Sequence, residues 1–183
     1  MTAIILTGGT SKRFGSDKSQ ARIGEKTFLE LLYSFLDDDD VIIVGNQTSL
    51  PARYTREDPE LGGPLAGIAA ALELVDNETV SIFATDMPFA PLVLPTLRAC
   101  LKKDAVLPID AEGIPQRLAA LYRTEPLRRA IACLPSAHNQ SVRSVIDTLA
   151  SDSIQIEDAD LLIDIDTPDL VFKAIEIQSR LSL

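Results

Sequence analysis

Short apolar runs alternate with helical periodicity along the whole chain, and this alternation limits the folds that the sequence can adopt. Ala3 to Leu6 and Val41 to Val44 are continuous apolar runs followed by glycine, a pattern typical of strands buried on both faces. Further strands are predicted at Val80 to Thr85, Ala105 to Ile109, Leu118 to Tyr122 and Leu161 to Ile165, and helices at 28–36, from Pro64, at 124–134, at 141–150 and from Thr167. Strands that alternate with helices predict an α/β protein with three α/β/α layers and a mostly parallel sheet.

Length and charge narrow the class of protein. The chain has 183 residues, 46% of them hydrophobic, which is enough for a single domain over residues 1–183 without disulfides or a structural metal. With 17 Lys and Arg against 27 Asp and Glu, the net charge is −10, which argues against binding to nucleic acid or to an anionic membrane surface. An anionic small molecule remains possible, because it needs only a local cluster of cations.

The cysteines and the first residues predict the compartment. Cys100 and Cys133 are far apart and form no metal-binding or disulfide pattern, which is typical of a reducing environment. Met1 to Leu6 contains no positively charged leader and no membrane span. We therefore expect a cytoplasmic protein.

The loop after the first strand is the strongest candidate for a binding site, because ligands of open α/β sheets bind beyond the carboxyl ends of strands. It reads Thr7-Gly8-Gly9-Thr10-Ser11-Lys12-Arg13-Phe14-Gly15-Ser16-Asp17-Lys18. Its glycines let backbone amides approach an anion, and Lys12, Arg13 and Lys18 supply positive charge, so the loop suits a polyphosphate. The spacing of its glycines fits neither GxxxxGK[ST], the P-loop motif, nor GxGxxG, the dinucleotide-binding motif of oxidoreductases. The alternative is a solvated glycine turn with surface lysines.

The run L-T-G-G-T-S-K-R-F-G-S-D-K resembles the signature LxGGxSxRxGxDK of nucleotidyltransferases, and most of all that of the molybdenum cofactor guanylyltransferases. Other landmarks follow in the family's order, and they are Asp58, Gly63 to Gly67, Thr85 to Pro88, Leu118 to Tyr122 and Asp164 to Pro168. Together they span roughly residues 3–170. The resemblance implies a Rossmann-like nucleotidyltransferase fold. It also implies an enzyme that transfers GMP from GTP to the terminal phosphate of molybdopterin and releases pyrophosphate.

The same resemblance implies which residues carry the reaction. Arg13 and Lys18 would stabilise the triphosphate, and Asp86, at the end of the third predicted strand, would hold Mg²⁺. Asp166 is a second candidate metal ligand. The alternative for Asp86 is that it caps the helix that follows.

The nucleotide would contact the ends of the first three strands. The candidate residues are Leu6, Thr7, Gly8, Gly9, Lys18, Asn46, Asp58, Gly63, Gly67 and Asp86. By resemblance, the carboxylate of Asp58 would accept N–H groups of guanine. Asn46 would contact the base or ribose, and it is equally interpreted as an ordinary turn residue after Gly45.

Candidates for holding the acceptor are Arg117, Arg143, Asp164 and Asp166; the alternative is that the arginines are surface residues and that the acids cap the final helix. The two acids alternate along a predicted strand and would face the same side. Guanylyltransferases often carry Asn-x-Asn where this chain has Asp164-Ile165-Asp166, a departure that leaves other interpretations open. These are a CTP-dependent molybdopterin cytidylyltransferase, a nucleotidyltransferase for another phosphorylated acceptor, and a non-catalytic nucleotide-binding domain. We expect a monomer whose substrates are GTP and Mo-molybdopterin; transient contact with other cofactor-biosynthesis proteins is compatible with this interpretation.

Overall fold

The strands of the protein follow the apolar runs of the sequence. A computed structural model describes residues 1–7, 22–36 and 40–181. The strands in this part are β1 (Thr2–Leu6), β2 (Arg22–Ile23), β3 (Lys26–Thr27), β4 (Asp40–Val44), β5 (Arg53–Thr55), β6 (Thr79–Ala84), β7 (Ala105–Ile109), β8 (Ala119–Arg123) and β9 (Ser151–Gln155). The α-helices are α1 (Phe28–Tyr33), α2 (Pro64–Leu72), α3 (Leu94–Cys100), α4 (Thr124–Ala132), α5 (Val142–Ile146) and α6 (Pro168–Arg180).

The main sheet has a reversal of strand order at its centre. Seven strands pair in the order β5-β4-β1-β6-β8-β7-β9, and β2 and β3 form a separate hairpin. β1 is parallel to both β4 and β6, whereas β8 runs antiparallel to β6 and β7. Because the chain moves from β1 to β4 on one side and then to β6 on the other, a crevice opens beyond the carboxyl end of β1.

Alternate residues of β1 pack into cores on opposite faces of the sheet, which makes three layers. On one face, Ala3 and Ile5 pack in a buried cluster with residues of α1 and α3. On the other, Ile4 and Leu6 pack with residues of α2, α4 and α5. This arrangement confirms the predicted α/β fold with a mostly parallel sheet between helical layers.

One predicted strand is wrong. Residues 161–165 form no strand. A 3-10 turn at Ala159–Leu162 includes the first two of them, and at its start the Asp158 carboxylate accepts a hydrogen bond from the Asp160 amide. Leu162 and Ile165 are apolar because they are buried in the core. The last strand of the sheet is instead β9, a largely polar segment that the apolar pattern did not predict.

The five predicted helices lie at their expected positions, some of them shorter than expected, and α3 is a further helix for which the sequence gave no bounds. α5 spans only Val142–Ile146 of the predicted 141–150. α6 begins at Pro168 with Thr167 as its N-cap residue, but the Thr167 side chain makes no capping hydrogen bond. Across the part of the chain that the structure describes, no helix has the length and apolar character required to span a membrane.

Candidate active site

Backbone hydrogen bonds join the carboxyl ends of three neighbouring strands. The amide and hydroxyl of Thr7 donate to the carbonyl oxygen of Val44, at 3.1 and 2.8 Å, which ties the end of β1 to β4. The amide and hydroxyl of Thr85 donate to the carbonyl oxygen of Leu6, at 3.2 and 3.1 Å, which ties β6 to β1. The chain therefore leaves β1 from a fixed point at the crevice. We call the side of the sheet where the carboxyl ends of β1, β4 and β6 meet the ligand edge.

The predicted phosphate loop begins at Thr7, the last described residue of this segment. Leu6 and Thr7 lie at the crevice as expected. The other predicted residues of the loop, Gly8, Gly9, Arg13 and Lys18, lie outside the described residues. Their roles stay predictions.

Gly45, the residue after β4, lies against Thr7. Its φ is 148°, and a Cβ atom at this position would lie 1.9 Å from the Thr7 hydroxyl oxygen. Only glycine leaves room for the two chain segments to approach so closely. The sequence showed Gly45 as the end of a strand and gave no sign of this contact.

Asp86 lies beside the segment that carries the other two predicted acids. The amide of Ile165 donates to the carbonyl oxygen of Asp86 at 2.9 Å, so Asp164 and Asp166 flank a residue bonded to the end of β6. The prediction that these two acids alternate along a strand is wrong. They lie in a tight turn between the 3-10 turn and α6, in which the Asp166 amide donates to the Asp164 carbonyl oxygen at 3.2 Å.

The donor set at this point fits a cation that also binds substrate. In residues 1–7, 22–36 and 40–181, no group of three or more His, Cys, Asp or Glu side chains could hold a metal ion. Mg²⁺ is usually bound through one or two carboxylates, with water and substrate phosphates completing its octahedral shell. Asp86 and the acids of the 164–166 turn are of this ligand type, and their role as a metal site stays a prediction.

The loop of residues 56–63 leads into α2 and carries the predicted base-binding acid. Asp58 is exposed and is joined to Pro59 by a cis peptide bond. The half-buried neighbour Glu57 reaches further in: its Oε1 accepts from the Leu61 amide at 3.1 Å, and its Oε2 is 3.8 Å from where a Cβ on Gly67 would lie. Glu57 is a candidate that sequence reasoning missed, because spacing alone does not separate it from Asp58.

Helix α2 packs directly on β4 through a glycine. A Cβ on Gly67 would lie 2.9 Å from Cγ1 of Val44, so the helix approaches the sheet more closely than an alanine would allow. Gly63 is the N-cap of this helix and Pro64 is its first residue. Both predicted glycines therefore lie where α2 meets the ligand edge.

Asn46 is connected to the 56–63 loop by an arginine that the sequence did not single out. Its Oδ1 accepts from Nη2 of Arg56 at 2.9 Å, and Nη1 of the same arginine donates to Glu60 at 2.9 Å. Asn46 is exposed, and so is Arg56. The contact links the end of β4 to the loop before α2 and adds a cation to this edge.

The two predicted acceptor arginines come together on one carboxylate. Nε and Nη2 of Arg117 donate to Oδ1 of Asp147 at 2.9 and 2.6 Å, and Nε of Arg143 donates to Oδ2 at 3.2 Å. The hydrogen bonds from Arg117, supported by those from Arg143, hold the pKa of Asp147 below its ordinary value. The cluster carries two positive charges and one negative charge.

The arginine cluster belongs to the same edge of the sheet as Asp86. The amide of Ala84, at the end of β6, donates to the carbonyl oxygen of Leu118 at 3.0 Å, which sets Arg117 beside that edge. The buried hydroxyl of Tyr122 donates to the Arg117 carbonyl oxygen at 2.6 Å, and burial raises the pKa of this tyrosine. The backbone of Arg117 is therefore fixed from inside the core.

The strand order and the helical layers on both faces of the sheet define a Rossmann-like fold of the α/β class, shared with solved structures. The family described as the MobA-like NTP transferase domain matches residues 3–154. The chain belongs to this family.

The chain resembles known proteins in sequence and in fold. A protein of Chloroflexus aggregans named "Probable molybdenum cofactor guanylyltransferase" is 34% identical in an alignment 151 positions long, which covers 72% of this chain and 71% of that protein. The crystal structure of molybdopterin-guanine dinucleotide biosynthesis protein A from Archaeoglobus fulgidus superposes with a TM-score of 0.76, at 23% identity, over 98% of this chain and 100% of that one.

The fold extends to a protein with a different name. The 2-C-methyl-D-erythritol 4-phosphate cytidylyltransferase of Thermus thermophilus superposes with a TM-score of 0.70, at 16% identity, over 96% of this chain and 98% of that one. At these low identities the solved structures show the shared fold alone. The fold therefore does not select the nucleobase, and the sequence relatives carry that information.

Proposed function

We propose that the protein transfers GMP from GTP to the terminal phosphate of molybdopterin and releases pyrophosphate. The observation that carries the proposal is the bond between Ile165 and Asp86, which sets the 164–166 acids beside the end of β6, next to the start of the phosphate loop. The name of the 34% identical relative supports the choice of guanylyl transfer. The cytoplasm as the place of reaction and a monomeric state are expectations from the sequence.

The reaction needs no nucleophilic side chain. An oxygen of the acceptor phosphate attacks the α-phosphorus of GTP, a new P–O bond forms, and the bond to the bridging oxygen of the β-phosphate breaks. Pyrophosphate leaves with that electron pair. Because both reactants are anionic, the protein contributes mainly by holding them in line and by offsetting their charge.

The residues at the crevice divide this work. Arg13 and Lys18 would bind the triphosphate, and Asp86 with Asp166 or Asp164 would hold Mg²⁺. When bound, Mg²⁺ would neutralise charge on the phosphate oxygens. The backbone bond from Ile165 to Asp86 would keep the acids at a fixed separation.

The two reactants would occupy opposite sides of this centre. Asn46, Asp58, Glu57 and the glycines Gly63 and Gly67 lie around the 56–63 loop and would bind the guanine nucleoside. Arg117 and Arg143 would bind the acceptor phosphate, since Asp147 neutralises only one of their two charges.

The proposal is tested by measuring pyrophosphate release with GTP, CTP, ATP or UTP, each in the presence of molybdopterin and Mg²⁺. We expect release with GTP only, dependent on molybdopterin and abolished by EDTA. Release with CTP alone would instead identify a cytidylyltransferase for the same pterin. No release with molybdopterin, but release with a sugar phosphate, would overturn the acceptor.

A further inference from the structure

Two hydrogen bonds join the loop between α4 and α5 to the 56–63 loop, and a third lies within the first of these loops. The amide of Asn139 donates to the Gly62 carbonyl oxygen at 2.6 Å. Nε2 of His138 is 3.2 Å from the Pro59 carbonyl oxygen, and Nδ2 of Asn139 is 3.1 Å from Nδ1 of His138. We call these two residues, His138 and Asn139, the 138–139 clamp.

The chemistry of its partners fixes the hydrogen-bonding state of the clamp. A carbonyl oxygen can only accept, so Nε2 of His138 carries a proton and donates it to Pro59. In the tautomer with its proton on Nε2, Nδ1 is an acceptor, which matches the amide nitrogen of Asn139. Both ring nitrogens of the one histidine in the chain are satisfied by this arrangement.

The two surfaces fit each other closely. A Cβ on Gly62 would lie 2.4 Å from Cδ2 of His138, so the imidazole packs where only a glycine leaves space. Asn139 has a φ of 57°, a left-handed conformation that asparagine adopts more readily than most residues. The turn is thus shaped to present both its main chain and its side chain to the opposite loop.

The two segments that the clamp joins serve different reactants in the proposed reaction. The 56–63 loop carries the nucleoside side, with Glu57 and with Arg56 bonded to Asn46. The chain continues from Asn139 into α5, which carries Arg143 and ends next to Asp147 in the arginine cluster.

We infer that His138 and Asn139 are positioning residues, which hold the 56–63 loop in the conformation that binds the guanine nucleoside. The inference rests on the proposed function. The carbonyl groups of Pro59 and Gly62 are both bound by the clamp, so the short segment between them, including Leu61 with its φ of 65°, is fixed at both ends. A loop fixed in advance loses less conformational entropy when it orders on a ligand.

The effect on catalysis follows from the part of the reaction that the clamp touches. It contacts the nucleoside loop and no reacting atom, so its loss removes binding that is equal in the ground state and the transition state. Such a loss raises KM and leaves kcat nearly unchanged.

The experiment compares wild type with His138→Ala, His138→Gln and Asn139→Gly, and with Gln140→Ala as the matched control on the same exposed turn. Glycine at 139 keeps the left-handed backbone and the amide bond to Gly62 while removing the bond to His138. The readouts are the dissociation constant of GTP by calorimetry without acceptor, the KM and kcat with molybdopterin and Mg²⁺, and the melting temperature.

We expect His138→Ala to weaken GTP binding and to raise the KM for GTP by about fivefold to tenfold, with kcat within about twofold of wild type. His138→Gln, whose amide can donate to Pro59, recovers part of the loss, and Gln140→Ala matches wild type. Melting temperatures within about 3 °C of wild type would show that the effect is on positioning.

Wild-type GTP affinity and KM in both His138→Ala and Asn139→Gly would overturn the clamp and leave the proposed function standing. A fall in activity that only follows a fall in melting temperature would also overturn it. Wild-type protein that binds no GTP would overturn the proposed function, and this inference with it.

Discussion

The amide of Ile165 donates to the carbonyl oxygen of Asp86 at 2.9 Å, which joins the end of β6 to the turn before α6. This is a bond between main-chain atoms, so it does not depend on the side chains of the acids on either side of it. Side-chain substitutions at Asp86, Asp164 or Asp166 therefore leave this main-chain bond in place.

We predict that Asp86→Asn lowers pyrophosphate release at least about 100-fold, because an amide cannot offer the charged oxygen that the proposed cation needs. The melting temperature should stay within about 3 °C of wild type, since the bond to Ile165 uses the main chain. The matched control is Asp76→Asn, which changes an exposed acid just before β6, at the opposite edge of the sheet. Near wild-type turnover in Asp86→Asn would refute the metal assignment.

Gly45→Ala should destabilise the protein by roughly 2 kcal/mol or more, because the new Cβ would clash with the Thr7 hydroxyl and the backbone φ is unfavourable for alanine. Urea unfolding measures the loss. Gly113→Ala is the control: its φ of 83° imposes backbone strain, but nothing lies within 4 Å of its Cβ position. Thr7→Ala combined with Gly45→Ala should cost less than the sum of the single changes; strict additivity would contradict the contact.

Tyr122→Phe should lower the free energy of unfolding by about 1–2 kcal/mol, because it removes the 2.6 Å hydrogen bond that a fully buried hydroxyl donates to Arg117. Tyr33→Phe provides the matched control, since that hydroxyl donates to Pro51 at 3.0 Å in an exposed position. Urea unfolding of both variants decides the point. Equal losses in the free energy of unfolding at the two positions would show that burial adds nothing to the hydrogen bond between Tyr122 and Arg117.

Asp147→Asn should show a pH-dependent loss of stability. The folded-state pKa of Asp147 is lowered, chiefly by hydrogen bonds from Arg117, so its stabilising effect is fully present above the unfolded pKa of about 3.9 and is lost as the pH falls through the folded value. The variant should therefore be less stable than wild type at pH 7, and the difference should shrink below about pH 4.

Urea unfolding of Asp147→Asn and wild type at several pH values measures that difference, with Asp76→Asn as the control. A difference that stays constant from pH 7 to about pH 3 would show that the ion pairs with Arg117 and Arg143 are not its source.

The apolar pattern predicted the part of the fold in which burial determines structure. β1, β4, β6 and β7 are continuous apolar runs or nearly so, and all four lie within two residues of their predicted bounds. β9 was missed because Ser151–Gln155 lies at the edge of the sheet, where pairing with β7 depends on the main chain and demands few apolar side chains. Residues 161–165 were predicted as a strand because they are apolar. They instead lie in a turn, and Leu162 and Ile165 are buried in the core.

The candidate site was predictable to the extent that its residues follow strands. Asp86 and Asn46 come shortly after β6 and β4, so topology placed them at the ligand edge. The approach of Ile165 to Asp86 and the convergence of Arg117 and Arg143 on Asp147 are long-range contacts that no local pattern encodes. The contact of His138 with Pro59 likewise depends on the tertiary structure.

The reversed direction of β8 has a consequence for the acceptor side of the proposed site. Because β8 runs against β6, its first residues stand at the ligand edge, together with the turn of residues 110–118 that precedes it. Surface turns between paired strands tolerate changes of length and composition that strands do not. A change in the length or composition of this turn can therefore alter the acceptor side of the proposed reaction without disturbing the strands β1, β4 and β6.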